Sequence, residues 1–187
     1  MHQTRKLPIL IEASFMAVLA FIFALVPLDI GTGYEVELGM APIIIFAYRR
    51  GLKYGLLSGF IWGIIKLVSG DIYLLSYLQV FIEYVFAFAL AGMAGILSQP
   101  IKNTLAEKQW KTQYTYIILS IAFAVLCKYG VHFIAGVIYW SDYAPDGMNA
   151  YLYSLIVNGS SAIATFIGNL ILVVGLIKTA PRLIKTK

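Results

Sequence analysis

The stretch YTYIILSIAFAVLCKYGVHFIAGVIYW, residues 114–140, is an almost uninterrupted run of apolar and aromatic side chains. A helix that crosses a lipid bilayer needs about 20 such residues, and this run supplies more. The whole chain is 60% hydrophobic and only 12% charged, which is far from the balance of a soluble globular domain. Lipid is therefore the expected solvent for most of the chain, and an integral membrane protein is the expected class.

Six apolar segments occur along the 187 residues, and they predict an all-α integral membrane protein with six transmembrane helices. The segments cover residues 7–27, 36–48, 54–68, 72–97, 114–140 and 150–177. The second and third are short for a span, which is compatible with tilt, with cover by other helices or with a partly re-entrant course. The connections leave no room for a soluble domain, so residues 1–187 are predicted to form a single transmembrane domain.

The charges between the segments predict how the helices are oriented. Twelve of the 14 basic residues fall on one side of the predicted threading: Arg5, Lys6, Arg49, Arg50, Lys53, Lys102, Lys108, Lys111, Lys178, Arg182, Lys185 and Lys187. The opposite connections carry Asp29, Glu35, Glu37, Asp71, Asp142 and Asp146, without a basic residue. Since basic connections stay in the cytoplasm, both termini are predicted to be cytoplasmic. The net charge of +5 is thus a topology signal rather than a nucleic-acid-binding surface.

The acidic, outer connections are also rich in aromatic residues. They contain Tyr34, Tyr73, Tyr139, Trp140 and Tyr143. One interpretation is a belt of aromatic rings at the membrane interface, which is common in membrane proteins. The other is a cage for a cationic, aromatic ligand that enters from outside.

Ionisable side chains inside spanning segments call for a reason, because each costs roughly 2.5–3.5 kcal/mol near the bilayer centre. Four need explaining here, namely Glu12, Glu83, Lys128 and His132. Glu12 lies close enough to the start of the first segment to reach the cytoplasmic surface, so we interpret it as structural. Glu83 lies in the middle of YLQVFIEYVFAFAL, residues 77–90, with Tyr84 beside it, and a functional role is expected.

The fifth segment carries a polar stripe. Lys128, His132, Gly136 and Trp140 recur every four residues, so they share one face of a helix, and the glycine leaves a notch between an imidazole and an indole. We interpret this stripe as facing a flat ligand. The alternative is that Lys128 forms a buried ion pair with Glu83 while His132 is an ordinary core residue.

Two polar residues of the last segment, Tyr153 and Asn158, can border the same cavity. Asn158 offers donors and an acceptor that suit the edge of a heterocycle, although hydrogen bonding between helices is an equal use for it.

Small residues predict where helices approach each other closely. In the third segment they are Gly51, Gly55, Gly59 and Gly63, for which packing inside the protein is expected. In the first segment they include Ala13 and Ala17, which we interpret as a face for a partner protein.

Catalytic motifs are missing from the sequence. It contains no glycine-rich P-loop, no HExxH and no serine nucleophile elbow, and its two histidines cannot make a metal site alone. The single Cys127 excludes an intramolecular disulfide. We therefore predict no enzyme activity, no cofactor and no metal, and active transport by this chain would need an external source of energy.

The order and spacing of six motifs resemble those of a known family. The motifs are EASFMAVLAF (12–21), VELGMAPI (36–43), RRGLKYGLLSGFIWGI (49–64), YLLSYLQVFIEY (73–84), KYGVHFIAGVIYWSDYA (128–144) and YSLIVNG (153–159). The chain resembles the thiamine-specific substrate-binding S components of energy-coupling factor (ECF) transporters, which reside in bacterial cell membranes. The resemblance spans most of the chain.

The resemblance implies a six-helix protein that captures thiamine from outside. Its implied partners are a transmembrane coupling protein and two cytoplasmic ATPases, whose ATP hydrolysis would drive uptake. The implied binding residues are Tyr73, Glu83, Tyr84, His132, Gly136, Trp140, Tyr153 and Asn158, with Tyr34 in place of a tryptophan that the family has after its first helix.

Some alternatives stay open at this point. The motif on the first helix that contacts the coupling protein fits Ala13 and Ala17, or Ser14 and Val18 in another register. The ligand could be another vitamin or a thiamine precursor. An autonomous proton-coupled carrier, with Glu83, Lys128 and His132 as its relay, is the alternative from a different class.

Overall fold

The computed structural model describes residues 6–28 and 34–185, and within these ranges the chain forms six helices. They are α1 Lys6–Ala24, α2 Met40–Arg50, α3 Leu52–Ser69, α4 Tyr77–Ala106, α5 Trp110–Tyr139 and α6 Ala150–Thr179. Short 3₁₀ turns at Ser141–Tyr143 and Pro181–Ile184 follow α5 and α6. The predicted all-α architecture is confirmed, while Arg5, Asp29 and Lys187 from the charge pattern lie outside the described residues.

Among the described helices, α2 differs from the other five, which are long and apolar enough to cross a membrane. It has only 11 residues and every residue from Met40 to Tyr48 is buried. At 1.5 Å per residue a helix of this length spans about 16 Å, roughly half of the hydrocarbon core. The predicted second segment begins at residue 36, but the helix begins at Met40. The short helix is possible because neighbouring helices, not lipid, surround it.

The non-helical chain before α2 has its backbone polar groups paired by side chains of α6. The backbone N–H of Glu35 donates to Ser161 Oγ at 3.1 Å, and that of Glu37 donates to Thr165 Oγ1 at 3.0 Å. Asn169 Nδ2 in turn donates to the carbonyl oxygen of Glu37 at 2.9 Å. Irregular backbone is tolerated at membrane depth only when protein satisfies it in this way. These pairs therefore explain why residues 35–39 need not be helical.

The glycines of α3 bring this helix into direct contact with α4. A Cβ atom added at Gly59 or Gly63 would clash with backbone carbonyl oxygens of α4, and one added at Gly55 would lie 3.0 Å from the carbonyl oxygen of Gly92. The predicted use of these glycines in internal packing is confirmed. Gly51 serves a different purpose, because its φ of +86° ends α2 and turns the chain into α3.

The small residues of α1 point inward. Ala13 and Ala17 are fully buried, and Ser58 Oγ of α3 donates to the carbonyl oxygen of Ala13 at 2.8 Å. The interpretation of Ala13 and Ala17 as a partner face therefore needs correction for this arrangement, because both alanines are covered by the protein itself. The side of α1 that faces outward carries Ser14 and Val18 instead.

The cytoplasmic end of the bundle holds Glu12, which we interpret from the sequence as structural. Glu12 of α1 pairs with Arg49 at 2.9 Å and with Arg50 at 2.6 Å, both in the last turn of α2. The structural interpretation of Glu12 is confirmed. These pairs place the start of α1 and the end of α2 on the same side of the membrane, as the charge pattern predicts.

Candidate functional site

A cavity of about 290 Å³ lies at the outer end of the bundle, where α3 to α6 meet the chain between α1 and α2. Sites for small molecules usually measure about 300–1,000 Å³, so this one suits a small ligand. The structure brings nine of the ten predicted binding residues to its walls: Tyr34, Tyr73, Glu83, Tyr84, His132, Gly136, Trp140, Tyr153 and Asn158. The tenth, Lys128, lies beneath the cavity and is not among its lining residues.

Glu83 is the buried carboxylate of the cavity, with a side chain that is 8% exposed. It accepts hydrogen bonds from Gln79 Nε2, one turn earlier on α4, and from Trp140 Nε1 of α5 at 3.2 Å. Its Oε1 lies 3.8 Å from His132 Nδ1. The carboxylate is thus oriented by an amide and an indole and remains accessible from the cavity.

The part of α4 that carries Glu83 is not a regular α-helix. Phe81–Phe86 forms a π-helical turn, a rare geometry that often occurs at functional sites. Two consecutive residues of this turn, Glu83 and Tyr84, both line the cavity. Tyr84 Oη also accepts a hydrogen bond from the backbone N–H of Tyr73 at 3.0 Å, which ties the α3–α4 connection to the wall of the cavity.

The outer aromatic residues form a cluster above Glu83. The ring of Tyr73 meets that of Trp140 edge to face, with 5.9 Å between centroids, and Tyr143 lies 5.2 Å from Trp140 on another side. Because all three rings line the cavity, they are more than a belt at the membrane interface. Their π faces provide the kind of surface that attracts an organic cation.

Gly136 lies where α5 and α6 approach each other. A Cβ atom placed there would clash with Ser154 Oγ and lie 3.0 Å from Asn158 Nδ2. Asn158 itself donates to the carbonyl oxygen of Ser154 at 3.2 Å, within α6. The predicted notch between His132 and Trp140 is therefore partly occupied by the polar edge of α6, which presents Ser154 and Asn158 to the cavity.

The ion-pair partner of Lys128 is Glu37 and not Glu83, the partner that the sequence suggested. Among the described residues its ion pair is with Glu37, at 3.9 Å, and both side chains are 1% exposed. The alternative of a Lys128–Glu83 pair is therefore wrong for this structure. The ammonium also lies 4.5 Å from the ring centroid of Phe88 and 4.8 Å from that of Tyr129. Both rings reach the cavity, so Lys128 contacts its floor from below.

Three charged residues of the cavity wall are absent from the sequence-based prediction of the site. They are Glu35, Lys66 and Asp71, and Lys66 Nζ lies 2.9 Å from Asp71 Oδ2 and 3.8 Å from Glu35 Oε1. A signal for them exists in the sequence. Of the 14 basic residues, only Lys66 and Lys128 fall outside the cytoplasmic set, and Lys66 precedes an outer connection. A basic residue on the side that basic residues avoid deserves a functional explanation.

Fold and cavity together define a multi-pass membrane protein that binds a small molecule at its outer face. The sequence pattern of the family described as thiamine transporter protein matches residues 10–185, and the chain belongs to this family. It is accordingly a transport protein of the bacterial cell membrane rather than an enzyme.

Individual relatives align with the full length of the chain. Thiamine transporter ThiT of Lacticaseibacillus paracasei is 34% identical over 191 residues, which are 100% of this chain and 95% of the relative. Thiamine transporter ThiT of Bacillus subtilis is 29% identical over 189 residues, covering 100% and 98%. A solved structure of ThiT from Listeria monocytogenes superposes with a TM-score of 0.94 at 32% identity, covering 97% of this chain and 100% of that one.

Proposed function

We propose that this protein is a thiamine-specific S component that captures thiamine at the outer face of the membrane, in the cavity around Glu83. The observation that carries the proposal is a buried carboxylate beneath a cluster of aromatic rings, in a chain that belongs to the thiamine transporter family. A fixed negative charge together with π surfaces suits a cationic, aromatic ligand.

The chemistry of thiamine matches the groups on the cavity wall. Thiamine joins a cationic thiazolium to an aminopyrimidine, so it needs negative charge, flat walls and groups that hydrogen-bond a heterocycle edge. Glu83 supplies the charge, Trp140 and His132 supply flat surfaces, and Asn158 and Tyr153 supply polar edges. In this assignment Tyr34, Tyr73 and Tyr84 complete the walls, and Gly136 lets α6 bring Ser154 and Asn158 to the cavity.

The proposal includes partners that supply energy. The sequence has no ATP-hydrolysis motif, and the family that it resembles works with a transmembrane coupling protein and two cytoplasmic ATPases. We place the contact with the coupling protein on the outward side of α1, around Ser14 and Val18, because Val18 is 45% exposed there. This register is the second of the two considered from the sequence.

The decisive experiment is calorimetric titration of the purified protein in detergent with thiamine. Because Glu83 is buried, removing its charge should remove the partner of the bound cation, a change that costs roughly 2–5 kcal/mol in comparable interfaces. We expect Glu83→Gln to weaken thiamine binding by at least about tenfold while the protein remains folded. The matched control is Asp146→Asn, which removes a carboxylate from an exposed outer connection.

Two results would contradict the proposal. The first is unchanged affinity in a folded Glu83→Gln protein, which would remove this residue from the site. The second is thiamine uptake into liposomes by this chain alone under a pH gradient, which would identify an autonomous carrier. A variant that retains only Trp140 among its three tryptophans should show quenching on binding if the indole contacts the ligand.

A further inference from the structure

The cavity contains a second ionic group besides Glu83, formed by Glu35, Lys66 and Asp71. Lys66 comes from the last turn of α3, Asp71 follows that helix, and Glu35 belongs to the chain between α1 and α2. All three line the cavity together with the aromatic residues around Glu83. We call these three residues the Lys66 cluster. A ligand that fills the cavity therefore meets charges on more than one wall.

The ammonium of the Lys66 cluster is already occupied. Its side chain is 8% exposed, whereas those of Asp71 and Glu35 are 57% and 39% exposed. Nζ lies 2.9 Å from Asp71 and 3.8 Å from Glu35, so two carboxylates surround one cation. With all three groups ionised, the cluster carries a formal charge of −1, and its negative groups are the more accessible ones.

These charges have opposite effects on the binding of thiamine and of its phosphate esters. Free thiamine is a cation, and its hydroxyethyl group is neutral, so a cluster with a net negative charge does not oppose its entry. Thiamine monophosphate carries a phosphate on that same hydroxyl. A phosphate in the cavity would have to displace a carboxylate from Lys66 or remain close to the negative charges of Glu35 and Asp71, and both alternatives are unfavourable.

Resting on the proposed thiamine site, we infer that the Lys66 cluster determines specificity: Glu35 and Asp71 occupy Lys66 so that the cavity accepts thiamine and rejects its phosphate esters. A lysine in a binding site is usually an attractive group for phosphate. Here its two acidic neighbours reverse that effect. Specificity obtained by placing unfavourable charges against the wrong ligand is a general device in binding sites.

The test compares the affinities for thiamine and for thiamine monophosphate, measured by titration calorimetry on the full-length protein in detergent. The wild-type protein should bind thiamine at least about tenfold more tightly than the monophosphate. Asp71→Asn, which releases Lys66 on one side, should tighten monophosphate binding and lower the ratio of the thiamine affinity to the monophosphate affinity by about tenfold. Glu35→Gln should shift the ratio of the two affinities in the same direction. It replaces Asp71→Asn in the test if that variant does not fold.

Two further variants sharpen the test. Lys66→Met leaves the carboxylates without their cation, so the preference for thiamine should increase by about tenfold. Asp146→Asn removes one negative charge from the same face of the protein outside the cavity, and it should leave the ratio of the two affinities unchanged.

The inference is overturned if the wild-type protein binds both ligands equally well, or if the ratio is the same in Asp71→Asn, Glu35→Gln and Lys66→Met as in the wild-type protein. In those cases thiamine binding itself persists and the proposed function stands. If the wild-type protein binds neither ligand, the proposed function fails and this inference fails with it. The two failures are therefore distinguishable in a single set of titrations.

Discussion

Glu83 and Glu37 are two buried carboxylates in the outer half of the bundle, and the protein compensates their charges differently. Glu37 faces the ammonium of Lys128 at 3.9 Å, and both side chains are 1% exposed. Glu83 lines the cavity and accepts hydrogen bonds from neutral Gln79 and Trp140. A carboxylate with a built-in lysine is neutralised permanently, whereas one held by neutral donors keeps its charge for an incoming cation. The comparison separates a structural ion pair from a binding group.

The largest expected effect comes from breaking the Glu37–Lys128 pair. Lys128→Met leaves a fully buried carboxylate without its cation, and such a loss typically costs about 3–5 kcal/mol. We expect a large decrease in the melting temperature in detergent. The double variant Glu37→Gln with Lys128→Met should recover most of that loss, because both charges are then removed together.

Thiamine binding by the double variant decides the role of Lys128. Affinity close to that of the wild-type protein would show that the pair is structural. Strong loss of binding in a stable double variant would instead show that Lys128 acts on the ligand, as the polar stripe on α5 predicts.

The second prediction applies the same measurement to Glu83. Because Glu83 has no lysine partner in the described structure, Glu83→Gln should change the melting temperature of the ligand-free protein little or even raise it. The stabilisation by thiamine is about 2.7 kcal/mol at a ligand concentration of 100 times the wild-type Kd, and a loss of affinity of at least tenfold should reduce it to about 1.4 kcal/mol or less. A large destabilisation of the ligand-free protein would contradict the distinction between the two carboxylates.

The third prediction concerns Gly136, which lets α6 approach the cavity. Gly136→Ala should weaken thiamine binding by about three- to tenfold and destabilise the protein by about 1 kcal/mol, because its new methyl group meets the side chains of Ser154 and Asn158. The matched control on the same helix is Gly130→Ala, because the new methyl group would have no atom of another helix within 4 Å. Equal effects of both substitutions would mean that the contact with α6 is unimportant.

The smallest effect is expected at the cytoplasmic end. Glu12→Gln removes a carboxylate that pairs with Arg49 and Arg50, but these side chains are 19–27% exposed, and solvent screens such pairs. The change in the free energy of unfolding should stay below about 1 kcal/mol, and thiamine affinity should not change. A decrease in the free energy of unfolding as large as that caused by Lys128→Met would contradict this expectation. Solvent exposure would then not explain why one ion pair matters more than the other.

Most of the helices could be predicted from the sequence, because long apolar runs leave few alternatives in lipid. The exception is the start of α2, where residues 36–39 read as apolar but are not helical. In this stretch and just before it, backbone groups of Glu37 and Glu35 are paired by Ser161, Thr165 and Asn169. These residues lie more than 120 positions away in sequence, and no local pattern reports such partners.

Residues of the candidate site could be predicted where their side chains differ from the apolar residues around them in sequence. Glu83, His132 and Trp140 are unusual within apolar runs, and all three line the cavity. Glu35 and Asp71 have ordinary positions in acidic outer connections, so nothing local distinguishes them from solvent-exposed residues. Their place in the cavity depends on how the connections fold back over the helices.

The sequence by itself determined that the chain lies in a membrane, which side of it faces the cytoplasm and which polar residues need an explanation. Apolar length and the distribution of lysine and arginine are local properties, and the bilayer acts on them directly. Only the tertiary structure decided that Lys128 pairs with Glu37, that Ala13 and Ala17 are covered, and that Lys66 is held between two carboxylates. Each of these depends on distances between different helices, and a buried charge selects whichever partner the packing brings close to it.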